Sequence, residues 1–134
     1  MAYDKHYFKR KMVYLGMPYT HENAVIREMR FDAINRIAAE VMLGTYTEGG
    51  VVPFSPISCS HPVSHHLPES TETWAFWQQM DLPFLAQCDE LWVIKFQGWE
   101  QSEGLAGEIK YALDHDIPIR TFNPVHFNVL DVTF

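Results

Sequence analysis

A chain of 134 residues, 47% hydrophobic and 14% aromatic, carries enough apolar side chain for one globular domain spanning residues 1–134 and is not of the disordered class. Its net charge of −7, with 10 lysines and arginines and no basic run, argues against a nucleic-acid binder, which must neutralise phosphates. No apolar run approaches the ~20 residues of a membrane span, and no secretory signal is visible, so a cytoplasmic protein is expected.

MVYL, from Met12, reads as a short buried strand that breaks at Gly16 and Pro18 into a loop. From Glu22 to Leu43 the pattern turns helical. Ile34, Ile37, Ala38, Val41 and Met42 recur at helical spacing, and Gly44 supplies a stop. GGVVPF gives a second strand. The segment Cys59 to Thr73, rich in Ser, His and Pro, reads as a long loop of the kind that is often functional. A helix is expected from about Glu72 to Cys88 with a kink near Pro83. ELWVIKF is a third strand, apolar nearly throughout as where both faces are covered. A helix opened by Ser102 follows, then IPIRTF as a fourth strand. FNVLDVTF, at the end of the chain, is either a fifth strand or a dimer contact. Alternating strands and helices predict a three-layer α/β fold with a mostly parallel sheet of about five strands. Cys59 and Cys88 have no metal-type spacing; a disulfide between them stays open, with free thiols expected.

In open α/β sheets, ligands bind beyond the carboxyl ends of the strands. That directs attention to Gly16–Thr20, Ser55–His66 and Gly98–Glu108. At helical spacing Glu108 has Gly104, Leu105, Tyr111 and Ala112 as neighbours and no lysine or arginine, which suits either a solvated helix glutamate or a carboxylate left free to act. Ser102 and Gly104 at the start of the same helix fit a simple N-cap or an anion site on free backbone N–H groups, although Glu103 would oppose a phosphate. Asp81 shares a helical stripe with Trp74, Trp77, Leu85 and Cys88. Desolvation there should raise its pKa towards that of a proton donor, unless Asp81 instead caps a segment restarting at Leu82–Pro83. Tyr14 and Tyr19 flank the exit of the first strand. Cys59, His61, His65 and His66 raise the question of a metal. Pro62 is expected to break any helix aligning His61 with His65, and no strong zinc spacing is present, so no metal is expected.

These pieces resemble the nucleoside 2-deoxyribosyltransferase superfamily, through VYLGMPYT, MDLPFLAQCDELWVI and SEGLAGE over about residues 12 to 122. The resemblance implies a Rossmann/flavodoxin-like domain that is homo-oligomeric, takes a small nucleotide or nucleoside, and needs no cofactor. It implies Glu108 as nucleophile on the anomeric carbon, Asp81 as the acid assisting the leaving base, and Tyr14 as the group placing the nucleophile or sugar. Gly16, Tyr19, His61, Trp99, Ser102 and Gly104 would contact substrate. The transferases commonly carry an aspartate six residues before the nucleophile; Ser102 stands there instead. This is similar to the 2′-deoxynucleoside 5′-monophosphate N-glycosidases, in which that serine binds the 5′-phosphate. A nearer resemblance is to small bacterial and phage proteins of unassigned activity, through FSPI…SHP and Gly98-Trp99-Glu100-Gln101-Ser102. The expected activity is cleavage or transfer at an N-glycosidic bond. Its alternatives are a nucleotide-binding module without turnover and a metal-dependent hydrolase on Cys59, His61, His65 and His66.

Overall fold

A computed structural model describes residues 10–45 and 51–124. Four strands, β1 (Met12–Gly16), β2 (Val52–Phe54), β3 (Glu90–Ile94) and β4 (Ile119–Phe122), form one sheet in the order β2-β1-β3-β4, and all pairs are parallel. The helices are α1 (Ala24–Met42), α2 (Pro56–Ser64), α3 (Trp74–Leu85) and α4 (Glu103–Asp114). The described strands thus number four, not five, and FNVLDVTF lies outside the described residues. No helix among the described residues is long and apolar enough to cross a membrane.

Strand alternation splits the core into two layers, because successive side chains point to opposite faces. Val13, Leu15, Trp92 and Ile94 face one way and pack with Ala33, Ile34, Ile37 and Val41 of α1 and Ile57 of α2. Tyr14, Leu91 and Val93 face the other way and pack with Leu85 of α3 and with Leu105 and Ala112 of α4. Every residue of β3 is buried, as its nearly continuous apolar run requires of a central strand. Pro53, which cannot donate to a ladder, sits in the edge strand β2. This is the three-layer Rossmann/flavodoxin-like arrangement, and its strand order reverses direction at β1 and β3.

Each helix starts on a polar side chain that satisfies an otherwise free N–H. Asn23, Ser55, Thr73 and Ser102 accept from Val25, Ser58, Phe76 and Leu105 respectively. Gly44 ends α1 with φ of 76°, a conformation that costs glycine little.

Two expectations need correction. Residues 56–64, of which 59–64 were expected to be loop, are helical, and Pro62 lies inside α2. Pro56 in the first turn and the Ser55 cap favour the start of this helix, while burial of Ile57 and His61 holds it to the fold. Proline forgoes only the hydrogen bond to the Ser58 carbonyl, and the helix ends two residues later. Likewise α3 runs through Pro83, so Asp81 is an interior helical residue and caps no new segment.

Trp74 explains the small residues of α4. A Cβ at Gly104 would lie 3.4 Å from its indole, and one at Gly107 only 2.5 Å. α3 can therefore approach α4 only where side chains are missing. Alanine is worth up to about 1 kcal/mol over glycine in a helix interior, yet Gly107→Ala should destabilise the protein, by about 1–3 kcal/mol, because the indole must move. Urea denaturation measures the sign, and a more stable variant would show that Trp74 does not occupy this notch.

Candidate active site

The sheet order places the carboxyl ends of β1 and β3 at a topological switch point, and the cleft lies there. Its volume is about 730 Å³, and its wall comes from the loop after β1, from α1, α2 and α3, and from the start of α4. Asp81, Ser102, Gly104 and Glu108 all line it, as do Tyr19 and His61. Tyr14 lies fully buried behind Glu108, and its hydroxyl donates to Glu108 Oε2. Gly16 backs the same carboxylate: a Cβ there would stand 3.4 Å from Glu108 Oε1 and 2.9 Å from Leu105 Cδ1. Trp99 is not among the lining residues. It packs against the core layer of Tyr14, with Lys95 Nζ 5.3 Å from its ring centre.

Two glutamates are each only 5% exposed, and their surroundings differ. Glu90, at the opposite end of β3, pairs with Lys11 at 2.9 Å and Arg120 at 3.1 Å and accepts from the Trp92 indole at 2.9 Å. Burial pushes its carboxyl up, but these hydrogen bonds and positive charges more than offset that and leave it lowered. Glu108 has no such cation among the described residues. Burial pushes its carboxyl up, the Tyr14 hydrogen bond opposes this, and the nearby Asp81 charge adds to the rise, to about 8. Burial likewise raises Asp81 to about 6. Tyr14 itself is pushed well above its ordinary value by burial and by the Glu108 charge. Glu90 is a paired carboxylate, whereas Glu108 and Asp81 line one cleft with carboxyls that burial holds above their ordinary range.

The rest of the wall is acidic. Glu22, Glu28, Glu69 and Glu72 join Asp81 and Glu108, against Arg27 as the sole lysine or arginine among the described lining residues. Ser102 is the N-cap of α4, accepting from Leu105 N at 3.1 Å, which leaves its hydroxyl proton able to point into the cleft. Gly104 faces Trp74 on one side, so its smallness serves helix packing as well as the opening of the cleft.

Residues 11–123 match a family described as Domain of unknown function (DUF1937). The chain belongs to this family. No curated protein matches it. The DUF1937 match covers every described strand and helix, so the cleft is part of the family's own domain.

Sequence reasoning missed Glu28 and Arg27 of α1, because an amphipathic helix does not disclose which polar residues turn towards a neighbour. It placed His65 only in the metal alternative with Cys59, His61 and His66, and expected Pro62 to misalign it with His61. The i, i+4 spacing of those two histidines was the available signal.

The raised pKa of Glu108 has a consequence for stability. The unfolded chain loses this proton near 4.5 and the folded chain near 8. Stability from this group is therefore complete below about pH 4.5 and lost as pH rises through 8. Glu108→Gln removes the effect while keeping a polar partner for Tyr14. The variant should exceed wild type by about 4 kcal/mol at pH 8, with the gap closing towards pH 5. Denaturant titrations across that range test it; equal pH profiles would mean that Glu108 is not desolvated.

Proposed function

We propose that this chain breaks the N-glycosidic bond of a deoxynucleoside 5′-monophosphate or related nucleotide-like molecule, with Glu108 as nucleophile and Asp81 as general acid. The observation that carries this reading is a buried carboxylate without a cation among the described residues, held by Tyr14 at the floor of a cleft that also contains a second carboxylate of raised pKa. Glycoside cleavage needs such a pair: one carboxylate to meet the developing oxocarbenium ion and one acid to protonate the leaving group. Trp77 and Tyr19 offer aromatic surface for a base, and Ser102 and Arg27 offer donors for an anionic end.

In the free pair a single proton rests preferentially on Glu108, the more deeply buried group. The productive arrangement is the tautomer with that proton on Asp81. Positive charge growing on the sugar favours it, because the ionised Glu108 is then the stabilised partner. Glu108 attacks C1′ as the C1′–N bond breaks, the bonding electrons pass to the base, and Asp81 delivers its proton to the base nitrogen. Asp81, now ionised, takes a proton from water, which attacks C1′ and releases Glu108. A second base in place of water would give transfer. Burial that makes the Glu108 carboxylate costly to form also leaves it poorly solvated and hence a stronger nucleophile.

Activity requires the pair to hold one proton, so kcat/KM should follow a bell between about pH 6 and about pH 8. The deciding experiment measures base release from a panel of deoxynucleoside 5′-monophosphates, ribonucleotides and free nucleosides, with wild type and Glu108→Ala. Release that falls at least ~100-fold in the variant is the expected result. A wild type that binds these molecules without a single turnover would point instead to a nucleotide-binding module. Equal rates in the two proteins would remove Glu108 from the chemistry.

A further inference from the structure

Beside the carboxylate pair, the same cleft holds a second cluster. Glu28 on α1 and His61 and His65 at the end of α2 each bring one ligand atom to within 4.8 Å of the others. Glu28 Oε1 lies 2.6 Å from His61 Nε2 and 3.7 Å from His65 Nε2. Neighbouring ligand atoms around a tetrahedral ion with bonds of ~2.0–2.1 Å stand about 3.3 Å apart. The two separations bracket that value. Glu28 and His65 are more than half exposed, at 56% and 59%, so small side-chain rotations reach it.

His61 is fixed more firmly than a hydrogen bond to a surface glutamate requires. Its ring is 4% exposed, is stacked on Phe31 with centres 4.3 Å apart, and meets His65 edge-on at 4.8 Å. Its other nitrogen, Nδ1, is hydrogen-bonded to the Tyr19 hydroxyl. Anchoring the far nitrogen fixes the tautomer and aims the near one, which is how metal-binding imidazoles are held. The acidic wall of the cleft adds a field that attracts cations.

We propose that Glu28, His61 and His65 bind one divalent transition-metal ion of the zinc class, leaving a fourth coordination position open to the cleft. Two imidazoles and one carboxylate suit zinc better than magnesium or calcium, which prefer all-oxygen shells. Cys59 and His66 lie outside this group, so the set differs from the one that the CSHPVSHH spacing suggested. The site stands apart from the glycosidase reading, since Glu108 and Asp81 contribute nothing to it.

The test uses the untagged full chain, stripped with chelator and titrated with zinc by calorimetry, and with cobalt by visible absorption. One zinc per chain is expected, with cobalt bands of a four- or five-coordinate site and no comparable binding of magnesium. His65→Ala and Glu28→Gln should each weaken zinc by about 100-fold or more, and Tyr19→Phe by about 10-fold. The exposed positions of Glu28 and His65 make those two variants informative even if His61→Ala does not fold. Zinc binding that is absent, that exceeds one ion with ordinary surface affinity, or that persists unchanged in His65→Ala and Glu28→Gln would overturn the proposal. So would zinc affinity that falls in Asp81→Asn and not in those variants.

Discussion

A carboxylate removed from water must find a cation, a proton or several hydrogen-bond donors. Among the described residues Glu108 is offered the Tyr14 hydroxyl as donor and a second carboxylate as neighbour. Much of the fold around the cleft follows from accommodating that arrangement. Tyr14 must be on β1 and point towards α4, which fixes the strand's inward and outward alternation and leaves Val13 and Leu15 for α1. Gly16 must lack a side chain so that Leu105 and Glu108 can close over the strand end. α4 must approach α3 closely enough to bring Asp81 within electrostatic range, and Gly104 and Gly107 permit this by seating Trp74. The protein thus places a proton-binding group where an ordinary core would place an aliphatic one.

Comparison of the two ends of β3 makes the same point. Around Glu90 burial is offset by Lys11, Arg120 and the Trp92 indole, so the group is a fixed charge that ties strand ends together. Around Glu108 nothing of that kind is present among the described residues. One strand therefore carries a cation-paired carboxylate at its start and leads at its end towards a helix with a carboxylate that has no such pairing among the described residues. The two carboxylates differ in the partners each is given.

Much of the architecture was legible in the sequence. The apolar run of β3, the Ile34–Val41 periodicity of α1 and the Ser102 cap each state their element locally, and alternation of the elements gives the parallel sheet. Glu108 stood out because it lacks an ionic neighbour at helical spacing, and Asp81 because it shares a stripe with Trp74 and Trp77, and that information is also local. What escaped was long-range or overridden. Pro62 argued against a helix that the Ser55 cap and the burial of Ile57 and His61 nevertheless hold. Glu28 meets His61 across 33 residues, and no pattern on α1 announces the encounter. The glycines of α4 suggested space for a ligand, whereas part of that space belongs to Trp74.

Arg30 gives the cleft unequal walls. It is 5% exposed, and its guanidinium reaches the Thr20 carbonyl after β1 at 3.0 Å and the Gln97 carbonyl after β3 at 3.2 Å. Gly98, with φ of 91°, lets the guanidinium lie against the backbone, where a Cβ would meet it at 2.7 Å. The two loops at the switch point are thereby stapled to each other across the sheet. The segment carrying Glu69, Thr71 and Glu72, on another side of the opening, is held through short-range turns such as Thr71 N to Pro68 O and Glu72 N to Glu69 O. A molecule entering the cleft therefore meets two loops tied to one another through Arg30 on one side, and on another a connection between α2 and α3 built on local turns.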